Sequence, residues 1–290
     1  MREGDFDLAW SLSQQALAER DPRRRNDASV PHHLRWVWDG SAFDGKHVLV
    51  RCHHGLGDTI QFARYLPRLA ARTASVTVEV QARLETLFVQ IPGIERLIPF
   101  APDAPAPESE CDIEITELAF ALRAAPSSAQ PPYLHAGRAS LPAGTIGLCY
   151  SAGPWDEERS IPAELFRPIC EKQTCLTLVC EPTELPVLNP GGCPFDIKHT
   201  ASLVAAVDLV ITVDTMIAHL AGAMSRPTWL LLKPDPDWRW SPGATGSVWY
   251  PSMRTYSQPE PDSWSTVLSR VEHDLAGHVA VRDCESAYDG

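Results

Sequence analysis

Apolar residues along this chain fall into short runs of four to six, each followed by a turn and then a helical period. His47 to Cys52 (HVLVRC) reads as a strand, His54 to Thr59 (HGLGDT) as a turn and Ile60 to Arg72 as a helix. Val76–Val80 is the next strand, Ala82–Gln90 a helix, and the stretch from Gly93 to Pro99 ends in a short strand. Cys111–Glu117 is strand-like and Leu118–Arg123 a short helix. A second series starts at Thr145–Tyr150 (TIGLCY) and continues through a helix at Pro162–Glu171, a strand at Leu176–Cys180 and a helix at Thr200–Val207. Its most regular part is Asp208–Leu232: an apolar strand, Asp214-Thr215, a helix with Ile217, Leu220 and Ala221 on one face, and a second apolar strand from Thr228. Runs apolar throughout belong to strands covered on both faces, and strand–helix–strand repeats build parallel sheets. The stretch from Lys233 to Pro261 reads as irregular, and Ser263–Val279 as a final helix.

Punctuation divides the chain. Asp5–Arg20 reads as an amphipathic helix with Leu8, Leu12 and Leu17 on its apolar stripe. Pro, Ser and Gly crowd Ala125–Gly144, as a linker would. The expected units are residues 1–31 (helix and linker), 32–142, 143–262 and 263–290 (helix and tail). Two βα-repeating halves joined in this way make an α/β protein of two Rossmann-like domains with parallel sheets facing a central cleft, plus an N-terminal helix.

Composition narrows the partners. A net charge of −12 over 290 residues argues against nucleic acid or an anionic membrane surface. No stretch is long and apolar enough to span a membrane, and Met1–Trp10 lacks the core of a signal peptide, so a cytoplasmic protein is expected. The eight cysteines form no CxxC pair and read as reduced, largely buried thiols.

Candidate chemistry sits on the two strand-to-helix turns. In the first, Gly55 and Gly57 let the backbone approach a ligand closely, and Asp58 projects from the helix start, where capping is its simplest role. In the second, Asp214 and Thr215 are placed to cap a helix whose free N–H groups suit a diphosphate, and His219 lies one turn on. Neither turn is a GxGxxG fingerprint or a P-loop.

Taken together, GLGDT and, about one domain later, DTMIAHLAGA resemble the ADP-heptose:lipopolysaccharide heptosyltransferase family of GT-B glycosyltransferases. The likeness is nearest to variants fused behind tetratricopeptide repeats, whose motifs are similar to GLGDTIQFARYLP, DWRW and WYPSMR here, and the N-terminal helix fits that origin. The resemblance implies an inverting, metal-independent transferase that needs no cofactor. It would move a sugar, such as a heptose, from a nucleotide-diphosphate donor such as an ADP sugar to a hydroxyl of an unidentified acceptor. Asp58 matches the base that deprotonates that hydroxyl.

Gly57, Asp214, Thr215 and His219 match the donor site, as do Ser151, Gly153 and Arg159 on the loop after the first strand of the second half. Glu181 lies where a ribose-binding carboxylate would stand; Met216, Arg239 and His54 are further cleft candidates. Met216 replaces the Gly or Ala common in the family, which bears on which donor is used. Asp235 and Asp237 form a DxD that holds metal in another transferase class but is read here as a decoy. Three alternatives stay open: a GT-B sugar epimerase, a phosphorylase, or a degenerate domain kept as a nucleotide- or partner-binding module.

Overall fold

The computed structural model describes residues 4–286 except Trp155, with side chains described to Gly277. Trp155, in the candidate donor loop, and the Cys284 side chain lie outside the described residues.

A first α/β unit follows the N-terminal helix α1 (Phe6–Ala18). It runs β1 (His47–Arg51), α2 (Leu56–Phe62), α3 (Leu66–Ala70), β2 (Ser75–Val80), α4 (Glu85–Phe88), β3 (Arg96–Pro99), β4 (Cys111–Glu114) and α5 (Leu118–Ala121). The second comprises β5 (Ile146–Cys149), α6 (Arg167–Lys172), β6 (Cys175–Thr177), α7 (Ile197–Ala206), β7 (Leu209–Val213), α8 (Met216–Ala223), β8 (Thr228–Leu232), β9 (Met253–Ser257) and α9 (Trp264–Ser286). Every named strand pairing is parallel. The sheet orders are β3-β2-β1-β4 and β6-β5-β7-β8-β9.

Those orders fix where ligands can bind. In the first sheet the chain moves outward from β1 to β3 and then returns to β4 on the other side of β1. In the second it moves from β5 to β6 and returns to β7 on the other side of β5. Loops leaving strands on either side of such a reversal part to opposite faces, and the crevice between them lies at the strand C-termini. The turn after β1 and the turns after β5 and β7 therefore border such a crevice. The strands beneath are apolar because both faces are covered: every residue of β7 (LVITV) and β8 (TWLLL) is buried.

Several sequence expectations change. The helix after β1 starts at Leu56 rather than Ile60, because the Asp58 carboxylate folds back to accept the Gly55 N–H at 3.0 Å and closes a first turn that contains Gly57. Asp58 is thus the third residue of α2, not its cap. The helices expected at Ala82–Gln90 and Pro162–Glu171 begin as 3-10 turns, Ala82–Leu84 and Ala163–Phe166. The Cys111–Glu117 strand ends at Glu114 and passes into another, Ile115–Glu117. The supposedly irregular 233–261 stretch holds β9, paired with β8 over five residues.

On α1 the buried face is not the leucine stripe. Leu8 and Leu12 are more than half exposed, whereas Trp10 is buried against Phe6 and Phe120. Leu17 does turn inward, onto Gly40. The rings of Phe6 and Trp10 bury more apolar surface than the leucines, and that decides the rotation. α1 thereby covers one edge of the first unit, and Arg123 donates to the Trp10 carbonyl at 2.9 Å. Among the described residues no helix is long and apolar enough to cross a membrane. The seven described cysteines are free thiols, six of them buried.

Candidate active site

The two units meet helix to helix. α2 of the first lies on α8 of the second, and the approach is close because of Gly57. A Cβ at position 57 would stand 2.8 Å from His219 Cδ2 and 3.6 Å from Met216 Cα. Here glycine is required by contact, not by backbone angle. Behind this contact, Arg64 ties the units together. Its guanidinium donates to the Trp249 carbonyl at 2.9 Å, to the Gln61 carbonyl at 2.9 Å and to the Tyr133 hydroxyl at 3.2 Å. It also lies over the rings of Tyr250 and Tyr133, 4.7 and 5.0 Å from their centroids.

In front of the contact opens a cavity of about 470 Å³ lined by Gly55, Gly57 and Asp58 from the first unit. Gly153, Arg159, Asp214, Thr215, Met216, His219, Asp237 and Arg239 line it from the second. Of the twelve residues expected to form a site, nine therefore converge on one cleft: Gly57, Asp58, Gly153, Arg159, Asp214, Thr215, Met216, His219 and Arg239. Ser151 and Glu181 lie elsewhere, in a groove of about 350 Å³ that also includes Tyr150, Glu164, Arg167 and Thr183. It adjoins the cleft through the Ser151–Gly153 backbone. His54 does not line the cleft; it is half-buried, and its carbonyl accepts from Gln81 at 2.7 Å. Burial lowers its imidazole pKa.

The neighbouring His53 is structural. Its Nε2 lies 3.0 Å from Glu79, which with Asp112 also receives Arg51, and its ring packs against Phe100 at 4.3 Å.

At the start of α8 only Thr215 acts as cap, its hydroxyl accepting the Ile217 N–H at 3.2 Å. Asp214 was expected to share that role, but the capping side chain is that of Thr215, and Asp214 is buried at 7% exposure. Burial raises its carboxyl pKa to about 6, opposed by the Trp240 indole N–H and by the charges of Arg159 and Arg239. Arg159 is buried, not a solvated surface side chain; it donates to the Asp214 carbonyl at 2.6 Å and pairs with Asp156.

His219 is 5% exposed and lines the cleft. Its Nδ1 lies 2.9 Å from the Tyr250 hydroxyl and its ring stacks on Trp240 at 5.7 Å. Burial, then the nearby charges of Arg239, Arg64 and Arg159, hold its pKa well below the usual histidine value, so the imidazole is neutral.

Arg239 reaches across the cleft. It pairs with Asp58, donates to Gln61 Oε1 at 2.5 Å and to Asp237 at 2.8 Å, and lies over Trp238. Asp237, the second carboxylate of the DxD, is thus engaged by an arginine, while Asp235 lines a different pocket with Lys233 and Trp264.

Sequence reasoning singled out Trp240 of DWRW as a cleft candidate but missed Gln61, Arg64 and Tyr250 as site-building residues. The signal was present, since all three lie inside the strings GLGDTIQFARYLP and WYPSMR. What periodicity cannot show is that those strings touch.

Two Rossmann-like units with ligand-facing turns across a shared cleft define the GT-B class of fold, and comparison with known proteins agrees. No family model matches the chain. It is 24% identical over 292 residues to Protein FlbA of Caulobacter vibrioides, an alignment covering 84% of this chain and 48% of that protein. The chain thus spans about half the length of the curated relative it matches.

Among solved structures it is similar to a family 9 glycosyl transferase from Veillonella parvula, with a TM-score of 0.55 and 16% identity over 79% of this chain and 90% of the other. It is also similar to E. coli ADP-heptose LPS heptosyltransferase II (TM-score 0.51, 14% identity, 79% and 99% covered). E. coli heptosyltransferase WaaC with ADP-2-deoxy-2-fluoro heptose gives the same four figures. The likeness is one of fold.

Proposed function

We propose that the chain is a glycosyltransferase that binds a nucleotide-diphosphate sugar on its second unit and passes the sugar to a hydroxyl presented by the first. The observation that carries this reading is the convergence of Asp58 from one unit with Asp214, Thr215, His219 and Arg159 from the other on a single 470 Å³ cleft. Its support from outside the chain is the shared fold of heptosyltransferases, one of them bound to an ADP-heptose analogue. We place the division between the two units at residues 142/143 and the protein in the cytoplasm.

In this reading the diphosphate lies at the N-terminus of α8, whose free N–H groups and partial positive charge suit an anion. With the Tyr250 hydroxyl donating to Nδ1, His219 carries its proton on Nε2, and that edge faces Gly57 and the cleft. A neutral N–H donor binds a phosphate oxygen without adding a second charge to a place already crowded by arginines. The nucleoside runs toward Ser151 and Glu181, and the sugar toward Asp58. Asp58 accepts the acceptor's proton as its oxygen attacks the anomeric carbon; the C–O bond to phosphate breaks with inversion, and the nucleoside diphosphate leaves with the bonding pair. No metal is invoked, because Asp237 is already held by Arg239.

Incubation with ADP-, GDP-, UDP- and dTDP-sugars and analysis of nucleotide release should show turnover of at least one donor. D58N should reduce that rate by about 10²–10⁴-fold, the usual contribution of a positioned base. Turnover unchanged in D58N would remove Asp58 from the role. Binding of every nucleotide without release by the native chain would favour a binding module instead.

A further inference from the structure

The pairing of Arg239 with Asp58 joins the two halves of the chemistry. Arg239 belongs to the loop after β8, in the second unit, yet its guanidinium reaches a carboxylate on α2 of the first. Both Asp58 oxygens are engaged: Oδ1 by Arg239, Oδ2 by the Gly55 N–H at 3.0 Å. The Arg239 backbone N–H is anchored within its own loop on Asp237 Oδ1 at 3.0 Å. The guanidinium is also held there, by Nη1 on Asp237 at 2.8 Å and over the Trp238 ring at 4.5 Å, so Nη2, the atom that meets Asp58, can change partner without the loop moving. The side chain is 11% exposed and lines the same cavity as the N-terminus of α8.

We propose that Arg239 is a donor-responsive latch on Asp58: a nucleoside diphosphate entering the cleft draws the guanidinium off Asp58 and thereby frees the oxygen that accepts the acceptor's proton. This rests on the donor-site reading above. A guanidinium fork matches two phosphate oxygens at least as well as one carboxylate oxygen, and a diphosphate brings more negative charge to the same cavity. An N–H already bonded to Oδ1 fills the position a hydroxyl proton would take, so the base is masked until the donor arrives. The consequence is an order of events: donor first, deprotonation second. Arg239 acts on Asp58 as a positioning residue and on the diphosphate by direct contact.

The latch makes a counter-intuitive demand. Removing the carboxylate that competes for Arg239 should tighten donor-product binding even though it slows turnover. Titration calorimetry of the whole chain with ADP, GDP, UDP and dTDP should show D58N binding its preferred nucleoside diphosphate at least threefold more tightly than the native chain. In an R239M background the D58N effect should vanish, and R239Q serves the same purpose if melting shows that R239M does not fold. Equal tightening with and without Arg239 would mean simple charge repulsion by Asp58, and the latch is wrong. Unchanged or weaker binding in D58N also overturns it. Failure of all four nucleotides to bind either the native chain or D58N would overturn the donor-site reading itself.

Discussion

The turn after β1 and the turn after β7 are the same device in topology and opposites in construction. The first is open: Gly55 is exposed, Asp58 keeps 26% of its side chain accessible, and its helix is closed by that side chain folding back onto a backbone amide. The second is sealed: Asp214 and His219 are 7% and 5% exposed, and the helix is capped by Thr215 alone. A sealed anion site is pre-organised, since its dipoles and hydrogen bonds are set before a ligand arrives and water does not weaken them. An open turn can meet acceptors of different shape. Under the proposed function, the asymmetry gives fixed recognition to the second unit and adaptable recognition to the first.

The largest test of this comparison is to separate the two turns. Arg64→Met keeps the length of the stem but leaves the buried Trp249 carbonyl without its donor, takes one of two donors from the Gln61 carbonyl, which keeps the Tyr133 hydroxyl at 3.3 Å, and removes the cation from the Tyr250 ring. The orphaned carbonyl costs about 1–3 kcal/mol and the desolvated cation–π contact about 2 kcal/mol, so stability should fall by about 4 kcal/mol in chemical denaturation. Nucleotide affinity should fall with it, because Tyr250 also holds His219. A loss below about 1 kcal/mol would mean that the sealed turn does not depend on its neighbour.

A smaller effect, of opposite sign, comes from Asp214. Its folded pKa of about 6 lies above the ordinary 3.8, so the group is neutral in both states below about pH 4 and costs nothing there. As pH rises from 4 to 6 the unfolded chain ionises first. Above 6 the cost reaches about 3 kcal/mol, at 1.36 kcal/mol per unit. Asp214→Asn should therefore be more stable than the native chain at pH 7, by up to about 3 kcal/mol, with the gain fading as pH falls from 6 toward 4. It should also bind nucleotide less well. Denaturation at a series of pH values reads the first, calorimetry the second; a pH-independent difference would show that burial of this carboxyl is not what separates the two turns.

Gly57→Ala is the smallest change. The added methyl meets His219 Cδ2 at 2.8 Å, and overpacking of this kind costs about 1–3 kcal/mol. Because α2 is the open side, it should yield. Nucleotide affinity is expected to survive better than acceptor turnover, and an affinity loss as large as the rate loss would place the damage on the sealed side.

Much of the architecture was legible in the chain. β7, α8 and β8 announce themselves because buried parallel strands are apolar throughout and a helix between them must have one apolar face. β9 was not, since MRTYS is an edge strand with polar positions, framed by Pro251 and Pro259. The start of α2 was hidden by Gly57, which reads as a turn residue until the bond from the Gly55 N–H back to the Asp58 carboxylate is seen. On α1 the leucine spacing pointed to the wrong face because ring area, not period, set the rotation. For the site, the residue types on each turn were readable one turn at a time. That Arg239 faces Asp58, and Arg64 faces Tyr250, depends on how the two units dock, which no local period encodes.

Tyr250 belongs to the second half of the chain by sequence, but its surroundings are shared. Arg64 stacks on its ring from the first half, its hydroxyl holds His219, and a methyl at position 222 would collide with its edge. An engineer who wished to change the acceptor by grafting a foreign first half onto this second half would therefore inherit a compatibility rule. The incoming piece must supply an arginine where Arg64 stands and a side-chain-free residue where Gly57 stands, or the graft will carry a second-unit cleft without the contacts that close it. Modularity in this molecule is conditional on those two positions.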